Sequence, residues 1–202
     1  MDSKVFENHN KYVERIKLYQ QYGYDIQAER QFILEAAQPL AGSILEIGTG
    51  KGYMTVALAQ AGHLFTSIDK SAEEQEFARL NIEYLGLGDR VTFEVEDAES
   101  MSFTDGSFDK IISVNMVHHL EHPFCVMDEM ERVVATRGRI ILSEMTPAGF
   151  GILDQVHALD GHTHDMGNAT LSQVSEYLVE KNFAIKRVSS ALHDVVIAYN
   201  LS

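Results

Sequence analysis

Residues 44–53, ILEIGTGKGY, carry an apolar run straight into Gly48, Gly50 and Gly52, with helix-forming sequence immediately afterwards. Glycine lets the backbone turn tightly and lets a ligand approach where a Cβ would collide. A phosphate-gripping loop needs GxxxxGK[ST], which is absent. A dinucleotide fingerprint needs GxGxxG, and Tyr53 stands where its third glycine should be, which disfavours NAD. The next apolar run, LFTSID, ends in Asp69, about 20 residues past the first glycine, where a carboxylate accepts hydrogen bonds from ribose hydroxyls. The third run, VTFEVED, ends in Asp97-Ala98, where an Asp could accept from an exocyclic adenine amine, although Asp also commonly ends strands. The fourth, FDKIISVN, is followed by His118 and His119, and histidine's intrinsic pKa suits proton transfer. Either histidine could serve as a base or line a substrate; the bland alternative has His119 bracing the loop and His118 exposed. From His157 to Asp165 the chain concentrates His157, His162 and His164 with two Asp. That segment reads as a metal site, a substrate pocket or a solvated loop, and it meets no metal-ligand spacing rule.

These groups need elements to position them. From Ser43 onward β-rich runs alternate with helical patterns, the signature of βαβ units feeding a parallel sheet. Ser71 with Glu74 forms a capping-box pattern, and Gly86 ends that helix, whose Phe77, Leu80 and Tyr84 share a face. Pro123 suits a first helical position, and Phe124, Met127, Met130 and Val134 supply that helix's buried stripe. Residues 4–37 read as one or two amphipathic helices able to cover the mouth of the sheet. Residues 146–170 show little periodicity. Thr170 and Gln173 then cap a further helix, and FAIKRV and LHDVVIAYN read as a closing hairpin.

The chain has 202 residues, with 16 Lys+Arg against 30 Asp+Glu, a net charge of 16 − 30 = −14. Such an acidic balance repels phosphate backbones, which excludes direct nucleic-acid binding. A hydrophobic fraction of 45% suffices for a core, and no apolar run approaches the roughly 20 residues of a membrane span. The N-terminus lacks a secretory pattern, and Cys125, the sole cysteine, allows no intrachain disulfide and reads as a small buried hydrophobe; a cytoplasmic setting follows as the expectation. No linker divides the chain. It reads as one domain with a helical cap over 1–37, a cofactor-binding core over 40–145, a substrate-side insertion over 146–170, and a final helix and strands over 171–202. Pairing into a homodimer is left open.

Taken together, Glu46 followed by GTGKG, Asp69 after the second strand, Asp97-Ala98 after the third, FDKIISVNMVHHLEHP and ERVVATRGRIILSEM resemble the class I S-adenosylmethionine-dependent methyltransferases of small-molecule type. The resemblance covers about Leu40 to Met145. Thr136-Arg137-Gly138 stands where the family usually has a Pro-Gly-Gly turn. It implies a Rossmann-like three-layer α/β sandwich, with a mostly parallel seven-stranded sheet, an antiparallel final strand and N-terminal capping helices. It implies S-adenosylmethionine as cofactor, with Glu46, Gly48, Thr49, Gly50 and Gly52 forming its loop, Asp69 and Lys70 at the ribose, Asp97 and Ala98 at the adenine, and Asn115 and Met116 near the sulfonium. It also implies a small-molecule methyl acceptor; Tyr22, Tyr24, His157, His162 and His164 are the candidates to meet it, and His119 or His118 the candidate base. Two readings from other classes stand beside it: a non-catalytic nucleotide-binding regulator, and an NAD-dependent oxidoreductase.

Overall fold

The computed structural model describes residues 2–159, 161 and 167–201. Seven strands form one sheet: β1 Ile44–Ile47, β2 Phe65–Asp69, β3 Val91–Val95, β4 Phe108–Val114, β5 Val134–Met145, β6 Phe183–Ser189 and β7 His193–Asn200, in spatial order β3-β2-β1-β4-β5-β7-β6. All pairings from β3 through β5 are parallel, whereas β7 runs antiparallel to both β5 and β6. The expected topology and closing hairpin are therefore present. Strand order reverses between β1 and β4, and at such a switch point the loops leaving the carboxyl ends part and leave a crevice for a ligand.

Alternation along the strands divides the core between two faces. Leu45, Ile111 and Ile140 pack with Met127 and Met130 of α5 (Pro123–Val133) and Val174 and Leu178 of α7 (Leu171–Glu180). Their neighbours Ile44, Ile112 and Ile141 pack on the other face with Ile33 of α2 (Ile26–Ala36) and Leu58 of α3 (Tyr53–Gln60). Helix–sheet–helix layering is the result. The N-terminal segment is two helices, α1 (Ser3–Gln21) and α2; Asp2 and Asp25 cap them by accepting from Lys4 N and Ala28 N.

Several local expectations are corrected. Residues 146–170 were expected to be irregular, yet Pro147–Leu159 forms a helix, α6, which packs against Tyr19 and Tyr24. In α4 (Ala72–Tyr84) the sheet-facing residues are Ala78, Asn81 and Ile82, while Phe77 and Tyr84 turn toward α1. There Asn8 Nδ2 donates to Phe77 O, and His9 stacks on Tyr84 at 3.7 Å. A docked helix at the amino end thus claims the aromatic face that the sheet was expected to bury. Phe124 is exposed and packs on Tyr177 at 4.9 Å, with Val126 and Val133 completing the α5 stripe in its place; Val134 begins β5. Cys125 is exposed as well, two positions into a helix whose inner face is already full. The turn at Thr136-Arg137-Gly138 is a bulge inside β5: pairing jumps from Phe108↔Val134 to Lys110↔Arg139, and Arg137 adopts φ 61°.

Candidate active site

The glycine loop leaves β1 and is pinned to β2 by Gly48 and Thr49 N–H groups, both donating to Ile68 O. Gly48, Gly50 and Gly52 all have positive φ, and their surroundings differ. A Cβ on Gly48 would meet Met116 Sδ at 3.1 Å, and one on Gly52 would meet Ala78 Cβ at 2.6 Å, whereas one on Gly50 would enter open space. The first and third glycines therefore allow protein to pack on protein. The middle one opens the backbone to a cavity of about 390 Å³.

Loops from the carboxyl ends of β1 to β4 line this cavity, together with α1, α2 and α6. Asp69 is oriented by two backbone donors, Gly50 N to Oδ2 at 2.8 Å and Ser71 N to Oδ1 at 2.9 Å. Each oxygen keeps a lone pair for a diol. Lys70 lies exposed at the rim, and Asp97 and Ala98 line the wall, Asp97 Oδ1 accepting from Glu99 N to form the turn. Asn115, at φ 55°, donates its N–H to Ser143 O and holds its side-chain Oδ1 buried without a hydrogen-bond partner among the described residues. Beside it Met116 lines the same wall.

Glu46 does not line the cavity; it lies fully buried behind the loop. Its Oε2 accepts from Thr55 Oγ1 at 2.8 Å and Ser67 Oγ at 2.6 Å. Ser67 Oγ is 2.7 Å from Thr49 Oγ1, which accepts from Gln75 Nε2 at 3.3 Å. Burial raises the Glu46 carboxyl to about 7 despite those bonds; Arg30 lowers it and Asp69 raises it further.

The two histidines have exchanged their expected roles. His118 is buried and its Nδ1 lies 2.6 Å from Glu144 Oε2, while His119 is exposed with its ring 4.0 Å away. Glu144 Oε1 accepts from Val117 N at 2.7 Å, which fixes the carboxylate, and Phe150 of α6 meets the His118 ring edge-on at 5.2 Å. A carboxylate at Nδ1 places the ring proton there and makes Nε2 the basic nitrogen. Both histidines line the cavity.

Tyr24 lines the cavity but Tyr22 does not; Tyr22 packs beneath α1. His157 reaches the cavity from α6, with its Nε2 3.4 Å from Tyr19 Oη. His162 and His164 lie outside the described residues, and among the described residues no three His, Cys, Asp or Glu converge as a metal site.

Two wall residues escaped the sequence reading. Glu144 had a readable signal, an acid closing an apolar strand at the edge where Asp69 closes another. Arg30 had one too, a cation on the buried face Ile26, Arg30, Ile33, Leu34 of α2. Its Nη1 donates to Tyr24 Oη at 3.0 Å, and its Nε is buried without a hydrogen-bond partner among the described residues. His193, behind them, is held down to about 3 by burial and then by the Arg30 charge, so it is neutral.

With this geometry in place the comparisons can be weighed. The family described as "Methyltransferase domain" matches residues 45–142, from β1 through the centre of β5. The chain belongs to the class I S-adenosylmethionine-dependent methyltransferases. Methyltransferase GfsG of Streptomyces halstedii is 32% identical over 107 residues, 52% of this chain and 38% of that protein. A ubiquinone biosynthesis O-methyltransferase of Xanthomonas axonopodis is 26% identical over 125 residues, 60% of this chain and 52% of that protein. The chain thus spans roughly two fifths to one half of the length of these curated relatives. Among solved structures, the [4+2]-cyclase SpnF superposes with a TM-score of 0.69 at 17% identity, covering 86% of this chain and 81% of that one. A likeness at that identity carries the fold alone, and this fold hosts more than one reaction. Within the family S-adenosylmethionine is the methyl donor. No described helix is long and apolar enough to cross a membrane.

Proposed function

We propose that this chain transfers a methyl group from S-adenosylmethionine to a hydroxyl of a small molecule. The residues present fit the donor: an open glycine edge at Gly50, a doubly anchored Asp69 for the ribose, and a buried acceptor, Asn115 Oδ1, with a buried cation, Arg30, for the two ends of an amino acid. Bound there, the donor supplies an electrophilic methyl; the acceptor O–C bond forms as the S–C bond breaks, and the sulfur keeps the electron pair. The observation that carries an oxygen acceptor is the His118–Glu144 pair at 2.6 Å on the cavity wall. A hydroxyl must lose its proton to attack, and His118 Nε2 receives it while Glu144 stabilises the resulting imidazolium. Holding the oxygen in line supplies roughly 7–11 kcal/mol of barrier reduction, the largest single contribution asked of the protein. Tyr19, Tyr24, Leu153 and His157 complete the acceptor side, and closing them over it excludes water.

Two measurements test this reading. In titration calorimetry, Asp69→Asn and Gly50→Val each weaken S-adenosylmethionine binding at least about tenfold, the loss expected when a charge-assisted hydrogen bond is removed or the open edge is filled. Full affinity in both variants defeats the donor site. In turnover of a hydroxylated acceptor pool, followed by S-adenosylhomocysteine release, His118→Gln lowers kcat by about 10²–10⁴ while leaving donor KM near wild type. An unchanged kcat removes His118 as base.

A further inference from the structure

We infer that Glu46 is a charge sensor behind the glycine loop: it gives up a proton when the sulfonium form of the ligand binds, and so makes discrimination between donor and demethylated product depend on pH. The inference rests on the donor assignment above.

The hydrogen-bond directions around Glu46 are dictated by what each group can do. Gln75 Nε2 can only donate, so Thr49 Oγ1 accepts from it; Thr49 then donates to Ser67, and Ser67 donates to Glu46 Oε2. Thr55, in the first turn of α3, donates to the same oxygen. One carboxylate oxygen therefore terminates a chain that passes through a residue of the loop itself. The other, Oε1, is buried without a hydrogen-bond partner among the described residues. An anion with one oxygen dry and unpaired is costly, and a proton on Oε1 relieves that cost without reversing any hydroxyl in the chain.

The neighbouring elements define what Glu46 feels. From β2 come Ser67 and Asp69, from α3 Thr55, from α4 Gln75, and from α2 Arg30. Its β4 register partner is apolar, Ile112. Asp69 and Arg30 are charges on the cavity wall, and both already act on Glu46, the anion raising its pKa and the cation lowering it. A cationic sulfonium entering the cavity acts with the sign of Arg30, whereas the thioether of the product adds no charge. With the carboxyl raised to about 7, this difference falls where physiological pH varies.

The experiment compares S-adenosylmethionine with S-adenosylhomocysteine, two ligands differing by one methyl and one charge. Calorimetry at pH 7 in two buffers of different ionisation enthalpy reads the proton count directly. We expect S-adenosylmethionine to release a fraction of a proton, at most about half, more than its product does, since a group at its pKa is half protonated. The affinity ratio of donor to product rises several-fold between pH 6 and 8. Glu46→Gln keeps an acceptor for Thr55 and Ser67 and abolishes both effects. Thr55→Val removes one donor to the anion and moves the dependence to higher pH. Equal proton release by the two ligands, or release persisting in Glu46→Gln, overturns the inference while leaving the donor site intact. Wild-type protein that binds neither ligand overturns the donor assignment and this linkage with it.

Discussion

Two buried titratable residues give the protein opposing responses to acid, and their signs follow from which state binds the proton. Glu46 sits near 7 in the fold against about 4.5 in a model carboxyl, so the native state binds a proton that the unfolded chain has lost; this stabilisation is complete below 4.5 and vanishes as pH rises through 7. His193 sits near 3 against 6.5, so the unfolded chain binds a proton that the native state refuses; its stabilisation is present above 6.5 and is lost as pH falls toward 3. Between about 4.5 and 6.5 the two offset one another, and each pKa unit corresponds to about 1.4 kcal/mol. Glu46→Gln therefore exposes the histidine limb alone. Its denaturant midpoint falls steeply from pH 6.5 to 4.5, whereas the wild type changes little across the same interval. Parallel curves for the two proteins, measured in urea at four pH values, would refute the assignment. Glu46 itself was legible from its place before the glycine loop, but its burial behind that loop was not, because a one-letter pattern does not say which face of β1 a side chain takes.

At the scale of elements, the third glycine links loop geometry to helix packing. Gly52 adopts φ 80° at the N-cap of α3, and a Cβ there would lie 2.6 Å from Ala78 Cβ and 2.9 Å from Ala78 Cα on α4. Gly52→Ala thus incurs both a left-handed backbone cost of about 1–2 kcal/mol and an overpacking cost of about 1–3 kcal/mol. Thermal unfolding should register the sum as the lower melting temperature. Ala78→Gly in the same chain relieves the contact but not the dihedral, so it restores only part of the loss; a double variant no more stable than Gly52→Ala shows that the helices do not meet there. The strands, the Gly86 stop after α4 and the Thr170/Gln173 capping box were readable because each follows from a local rule. Helix α6 was not, since Pro147, Gly149 and Gly151 at its start are poor helix formers and its stability comes from packing on Tyr19 and Tyr24. The Phe77 and Tyr84 face was misassigned for the same reason: periodicity shows that a face is covered, not by what.

For the molecule as a whole, the question is which nucleotide a doubly wound sheet with an acid at Asp69 selects, since that acid serves the ribose of several cofactors. A dinucleotide would bring its pyrophosphate to the start of α3, where Tyr53 replaces the third glycine of the fingerprint and its ring lies 5.1 Å from that of Tyr12. The space a pyrophosphate needs is thus walled by aromatic rings from α1 and α3, and a chain of net charge −14 adds a general repulsion toward anions. A zwitterionic amino acid carrying a sulfonium meets neither obstacle. Ligand that binds only the native state raises stability by about 2.7 kcal/mol at a hundred times its dissociation constant. For a chain of this length each kcal/mol moves the midpoint by about 2–4 °C, so saturating S-adenosylmethionine raises the melting temperature by about 5–10 °C. NAD at the same concentration leaves it unmoved. Because the cavity is bounded by β1, β2, β3 and β4 together with α1, α2 and α6, the protection extends across the sheet and its cap and shifts a single transition. A melting curve moved by NAD and not by S-adenosylmethionine would transfer the site to the oxidoreductase reading, and the tyrosines at the loop would then have to swing aside to admit it.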